Sequence, residues 1–195
     1  MKKGVIVIVV LVILAMAGCG GCNKYNGLVN QDENVKNKWG VVQSSYQRRA
    51  DLIPNLVATV KGAANFETET LEKVIQARAS ATQVKVDVND LSPEKIQQYQ
   101  AAQGQLSQAL GRLLAVSESY PDLKANANFQ NLQVQLEGTE NRINVARNDF
   151  NQAVNGYNSS VRTFPGNIIA GITGFKQKGY FEASAGSENA PQVKF

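Results

Sequence analysis

Apolar residues recur along this chain at a seven-residue interval. From Leu28, one track holds Leu28, Val35, Val42, Arg49 and Leu56, and a second holds Asp32, Trp39, Tyr46, Ile53 and Val60. Paired tracks of this kind form the seam of a long helix, and Asp32 and Arg49 are its two polar intrusions. The pattern predicts a first helix over about residues 25–62, broken at Gly62. Thr68-Glu69 ahead of Leu71 opens a second helix over about 68–84, with Leu71, Val74, Ile75, Arg78 and Ala81 on one face. Val84, Val86 and Val88 alternate as a strand would, but no second strand is there to pair with them. The segment therefore reads as an extended connector, ending in the turn chemistry of Asn89-Asp90.

Ser92 as N-cap and Pro93 at the first helical position start a third helix, over about 93–119. Ile96, Tyr99, Leu106, Leu110, Leu113 and Leu114 repeat at helical spacing until Tyr120-Pro121 stops them. The fourth helix, over about 126–164, is apolar at Phe129, Leu136, Ile143, Phe150, Tyr157 and Phe164. So long an amphipathic helix needs long partners to cover it, and helices one and three are the candidates. The fold class that follows is all-α: an antiparallel bundle of three to four long helices. NIIAGITGFKQKGYF, after Pro165, reads as a short helix or turn docked on the bundle end. The domain closes at about residue 182, and residues 183–195 form a polar tail.

Charged residues enter the helical seams. Arg49 in helix one, Arg78 in helix two, Glu118 in helix three, and Glu140 with Arg147 in helix four are placed to meet inside the bundle, and Asp51 is assigned to the same network. A charge removed from water costs several kcal/mol unless it is paired, so these groups are expected to pair across helices and set their register. The other reading is a ligand or acid-base pocket, with Glu140 as base and Arg49 as anion clamp, although no nucleophile or phosphate loop accompanies them. Pro54 predicts a bend in a continuous first helix. It cannot donate to the carbonyl of Ala50, which then needs another donor, such as an arginine.

The N-terminus adds a membrane-targeting segment over residues 1–22. Lys2-Lys3 precede thirteen unbroken apolar residues, Val5 to Ala17, and small residues lead to Cys19. Met16-Ala17-Gly18-Cys19 is similar to the processing site of bacterial lipoproteins, which makes Cys19 a candidate for lipidation. Gly4 to Cys22 is alternatively nineteen apolar or small residues, enough for one uncleaved span. Either reading keeps Lys2-Lys3 cytoplasmic and the body outside the inner leaflet.

Composition narrows the chemistry. Hydrophobic residues are 43% and charged residues 18% of the chain, as in a water-soluble body. The net charge is +4, without a basic stripe, so nucleic acid is not an expected partner. The chain has no histidine, which removes the usual general base, the usual zinc ligand and every histidine-assisted nucleophile. The only cysteines, Cys19 and Cys22, lie at the edge of the apolar run, away from any βαβ context for redox chemistry. Glu67, Glu69, Glu72, Asp87 and Asp90 match no metal-ligand spacing. No cofactor, metal or catalytic residue is predicted.

Several motifs together resemble the LemA family of bacterial membrane-anchored proteins. They are Tyr25-Asn26, Trp39, QRRADLIPNLVATVKG at 47–62, Ala77-Arg78, LLAVSESYPDLKAN at 113–126 and LEGTENRINVARNDFN at 136–151, with YN, GF and YF following at 157, 174 and 180. The resemblance implies an antiparallel helical bundle on an N-terminal anchor, with no established catalytic residues. The AMAGCGGC sequence departs from the plain span usual in that family. The expected function is a non-catalytic, membrane-tethered module that presents a surface to envelope proteins, with further copies of itself as candidate partners. The alternatives are an envelope ligand-binding protein or hydrolase built on the Arg/Glu cluster, and a scaffold whose residues 166–181 touch the bilayer.

Overall fold

The computed structural model describes residues 2–62 and 66–183, with the side chains of residues 2–3 and 5–19 outside the description. Six helices follow one another among the described residues: α1 (Lys2–Lys61), α2 (Thr68–Gln83), α3 (Pro93–Ser117), α4 (Pro121–Lys124), α5 (Ala127–Arg162) and α6 (Gly166–Thr173). No strand occurs among the described residues, and Val84 to Val88 form the extended connector between α2 and α3.

Three boundaries differ from those read in the sequence. The first helix does not start near residue 25: α1 is continuous from Lys2, with no proline between the apolar run and Tyr25 and with Gly18, Gly20 and Gly21 carried inside the helix. The stop at Tyr120-Pro121 is followed by the single turn α4, since proline is well placed at a first helical position. The fourth helix ends at Arg162, and Phe164 is 79% exposed instead of continuing the buried track. A cis peptide bond joins Phe164 to Pro165 just beyond. At the other end of α5, the Asn126 side chain accepts hydrogen bonds from the backbone N–H of Asn128 and Phe129, so the N-cap satisfies donors that the helix leaves free.

The predicted membrane anchor rests on Val5 to Ala17, and the predicted lipidation site is Cys19; all of these side chains lie outside the described residues. Among the described residues no helix is long and apolar enough to cross a membrane. Residues 184–195 of the predicted tail also lie outside the description.

The two longest helices pack antiparallel. Lys38 Nζ lies 2.7 Å from Asp149 Oδ2, and Arg49 Nη1 lies 3.0 Å from Glu140 Oε2, so α5 descends as α1 rises. α2 runs down α1 and turns back into α3, and this pair covers one side of the α1–α5 pair. Apolar residues fill two compartments along the bundle. One gathers Leu28 to Tyr46 of α1 with Ile96 and Tyr99 of α3 and Ile143 to Val161 of α5. The other gathers Ile53 to Val60 with Leu71, Val74, Leu106 to Leu113 and Phe129 to Leu136. Ile75, placed on the α2 face by its spacing, is instead 45% exposed.

Past Gly174, whose φ of 82° closes α6 in the left-handed region, the chain runs back along α5 as an extended strap. Gly179 must be glycine at its place, because a Cβ there would lie 2.6 Å from Pro93 Cα.

Pro54 sits inside α1 without interrupting it. The Ala50 carbonyl that Pro54 cannot serve accepts from Arg78 Nε of α2 at 2.8 Å, and Ala50 is buried. An inter-helix bond thus substitutes for a missing bond within the helix. We expect Arg78→Ala to cost about 1–3 kcal/mol of stability, the penalty for leaving a buried carbonyl unpaired. In a Pro54→Ala background that cost should shrink by about 1 kcal/mol or more, because residue 54 regains its N–H. Denaturant unfolding of the four proteins of this cycle in detergent checks it, and strict additivity would rule out the coupling.

Candidate functional site

Arg49 and the residues around it occupy the level between the two apolar compartments. On α1 it lies between Tyr46 and Ile53, and on α3 its partner Gln103 lies between Tyr99 and Leu106. Only 2% of Arg49 is exposed. Nη1 donates to Ser107 Oγ at 2.7 Å and to Glu140 Oε2 at 3.0 Å. Nη2 donates to the Gln103 side chain at 2.8 Å and to its backbone carbonyl at 3.2 Å. The guanidinium also lies 5.0 Å from the centre of the Tyr46 ring, and Nε has no partner. Gln103 in turn donates to the Ala81 carbonyl of α2. This one layer therefore joins α1, α2, α3 and α5.

Of the six residues assigned to an interior network, Arg49 and Glu140 alone form an ion pair with each other. Arg147 donates to the Glu182 carbonyl and lies over the Phe181 ring. Arg78 serves Ala50. Asp51 is exposed and accepts from Gln47 of its own helix, and exposed Glu118 pairs with Lys124. Single positions in the heptad do not specify which way a long side chain leans, so exposed charges were grouped with buried ones. The Tyr46 phenol feels the cluster: burial pushes its pKa up, against the opposing pull of Arg147 and Arg49.

Chemically, this is a closed arrangement. Both terminal nitrogens of Arg49 are taken up by internal acceptors, which leaves no fork with which to grip an anion. A small cleft of about 150 Å³ opens beside it between Gln43, Tyr46, Ala81 and Tyr99, without Arg49 in its wall. Among the described residues no group of three acidic or cysteine side chains is placed to hold a metal.

A second polar site lies under the strap and was not foreseen. Three side-chain amides each make two bonds to the backbone of one strap residue. Asn158 donates to the Lys178 carbonyl and accepts from its N–H, at 2.8 and 2.9 Å. Asn151 does the same for Phe181 at 2.8 and 2.9 Å, and Gln100 for Glu182 at 2.9 and 3.0 Å. Asn151 and Asn158 are seven residues apart, each directly after a core aromatic; that spacing was the signal to read. Phe181 enters the aromatic group of Trp39 and Phe150.

Lys178 is 8% exposed, lies 5.1 Å from the Tyr157 ring centre and pairs with Asp32 at 2.8 Å. Asp32 also pairs with Lys36 at 2.8 Å. A cleft of about 420 Å³ opens beside these groups. Burial draws the Asp32 carboxyl upward, but its hydrogen bonds and charge attraction to Lys178 and Lys36 outweigh that and hold it below the usual carboxylate range. Burial also pushes the Tyr157 phenol up to about 12, with Asp32 adding to the shift.

Two outcomes follow from these sites. Glu140→Gln leaves the buried Arg49 charge without the carboxylate it pairs with, although the new amide oxygen can still accept, so it should cost about 1–3 kcal/mol. Arg49→Met leaves the Gln103 and Ser107 side chains without their donor and should cost about 2–4 kcal/mol by denaturant unfolding; a cost near zero for either variant would contradict the role of the pair. Because folding lowers the Asp32 pKa, its contribution is full above the ordinary carboxylate value of about 3.9 and is lost as pH falls through the lower folded value. Amide protection factors of Lys178 and Phe181 should accordingly hold to about pH 5 and drop below about pH 4. In Asp32→Asn they should start lower and show no such acid limb.

Comparison with known proteins identifies the family. Magnetosome protein MamQ 2 of Paramagnetospirillum magneticum is 28% identical over 178 residues, covering 82% of this chain and 65% of the relative. The chain therefore spans just under two thirds of that relative's length. Protein LemA of Metamycoplasma hominis is 26% identical, with 82% of this chain and 69% of the relative covered. Magnetosome protein MamQ of Magnetospirillum gryphiswaldense is 26% identical, with 87% and 70% covered. The LemA family model matches residues 38–195, from just before Trp39 through the polar layer and the strap, and the chain belongs to the LemA family.

Proposed function

We propose that this protein is a non-catalytic helical bundle, tethered to the membrane by its N-terminal segment, that presents an interaction surface to other proteins of the cell envelope. The tether is supported by the apolar run Val5 to Ala17 behind Lys2-Lys3, with Cys19 as the acylation point if the segment is processed. The non-catalytic reading is supported by the closed state of Arg49: the buried cation already has its acceptors, and they lie on helices that it holds together.

The surface is the side of the α1–α5 pair away from α2 and α3. Val41 there is 47% exposed and Val145 63% exposed, and a shallow groove of about 380 Å³ runs between them over Ser45 and Ala146. Arg142 and Asp149 flank it, giving an apolar centre with a charged border of the kind that protein interfaces use.

A photo-crosslinking amino acid at Val145 of the full chain, expressed in its own cells, tests the proposal. It should yield one discrete adduct in the membrane fraction, lost in Val41→Glu, while the same probe at exposed Ala115 on α3 yields none. Equal adducts from both positions, or recovery of the chain outside the membrane fraction, would overturn it.

A further inference from the structure

Among the described residues, the two most exposed large apolar side chains, Ile172 and Phe164, lie with Ile168 at one end of the bundle. Ile168 and Ile172 stand one turn apart on the solvent side of α6, 53% and 81% exposed, and Phe164 just before the helix is 79% exposed. On the inner side of α6, Ala170 is buried and Ile169 packs on the core, so the helix is docked and its outer face is left without a partner. Exposed isoleucine and phenylalanine in such proximity have no role in holding the bundle together.

The position of this face identifies what covers it. The pairs Lys38–Asp149 and Arg49–Glu140 set the register of α5 on α1, and continuing it by thirteen residues carries Arg162 down to the level of Tyr25. Tyr25 itself is 43% exposed, and its ring centre lies 6.0 Å from that of Phe175, immediately past α6. Tyr25 follows Ala17 by eight residues of the same continuous helix, a rise of about 12 Å. The headgroup layer flanking a hydrocarbon core of about 30 Å is about 5–8 Å deep on each side, so Tyr25 stands just outside it. Three exposed cations lie at the same end: Lys24, Arg162 and Lys176. Apolar side chains bordered by lysine and arginine form the pattern of a segment seated at the interface of an anionic membrane.

We propose that α6, with Phe164, Ile168 and Ile172, is a second membrane contact, docking the base of the bundle on an anionic lipid surface beside the tether. The proposal rests on the membrane tether proposed above. With α1 alone the bundle is held at one point; with α6 also seated, its rotation about that helix is fixed. The α1–α5 groove is then held at a set orientation to the bilayer.

Full-length protein carrying Ile172→Trp, reconstituted in mixed phosphatidylglycerol and phosphatidylcholine vesicles with bromine near the headgroup end of the acyl chains, tests this. The native Trp39 is fully buried and gives the background. Ile172 is exposed enough for the change to spare the core. Val134, 66% exposed and about 40 Å further along α5 from the base, supplies the control Val134→Trp. The added tryptophan at 172 should be quenched roughly twofold or more relative to that at 134, and Lys24→Gln with Arg162→Gln should reduce the difference. Vesicle flotation of the same samples separates the two proposals. Protein that floats with equal quenching at 172 and 134 overturns the α6 contact and leaves the tether standing, whereas protein that does not float overturns both. Crosslinking of Ile172→Cys to a second copy, without quenching at 172, would overturn lipid as the occupant.

Discussion

A single buried guanidinium sets the register of this bundle. Heptad seams alone leave a helix free to slide by seven residues, because apolar side chains attract one another with little regard for which neighbour they meet. Arg49 removes that freedom. A slide by one heptad would carry the charge from a level where Ser107, Gln103 and Glu140 receive it into an apolar compartment on either side. The cost of an unpaired buried charge is several kcal/mol, large beside the net stability of about 5–15 kcal/mol of a typical domain. The layer need contribute little to net stability to choose one alignment, since it penalises the others.

The remaining polar interactions depend on that alignment. With α2 placed by the Gln103–Ala81 bond, Arg78 reaches the one carbonyl of α1 that Pro54 leaves unserved. With α5 placed by Glu140, Asn151 and Asn158 are presented along one line at two-turn spacing, and the strap can lay its backbone against both. The strap then brings Phe181 to Trp39 and Lys178 to Asp32, closing the lower compartment. Asp32 and Arg49 are the two polar intrusions in the first heptad tracks, and each anchors a different part of the structure.

That much of the bundle was legible in the sequence follows from what helices require. A buried stripe must repeat at three and four residues, so the tracks from Leu28 and from Phe129 expose the long helices, and Pro93 marks the start of another. Pro54 beside a cluster of arginines also disclosed that a carbonyl needed a donor. The strap was not legible. Its recognition runs through backbone groups, which every residue carries, and the amides that read them look in sequence like ordinary surface residues of a helix. Glu118 and Asp51 were grouped with Arg49 for a related reason: spacing places a residue on a face, but solvent or a close neighbour decides whether its charge goes inward.

The antiparallel return of α5 gives the two ends of the bundle different characters. Among the described residues, α6 and the strap, which follow the long helices, are delivered to the end where α1 continues into the apolar run. The opposite end holds the α2 entry, α4 and short connections. A body built simply to be held away from a membrane would gain nothing from exposing Ile168 and Ile172 side by side at the near end, where they are as costly to solubility as anywhere else. Their placement is economical only if that end is covered. On the proposed reading the same geometry divides the molecule's tasks along its length: attachment at the base, register at the middle, and an α1–α5 groove between the two, all carried on the one continuous helix α1.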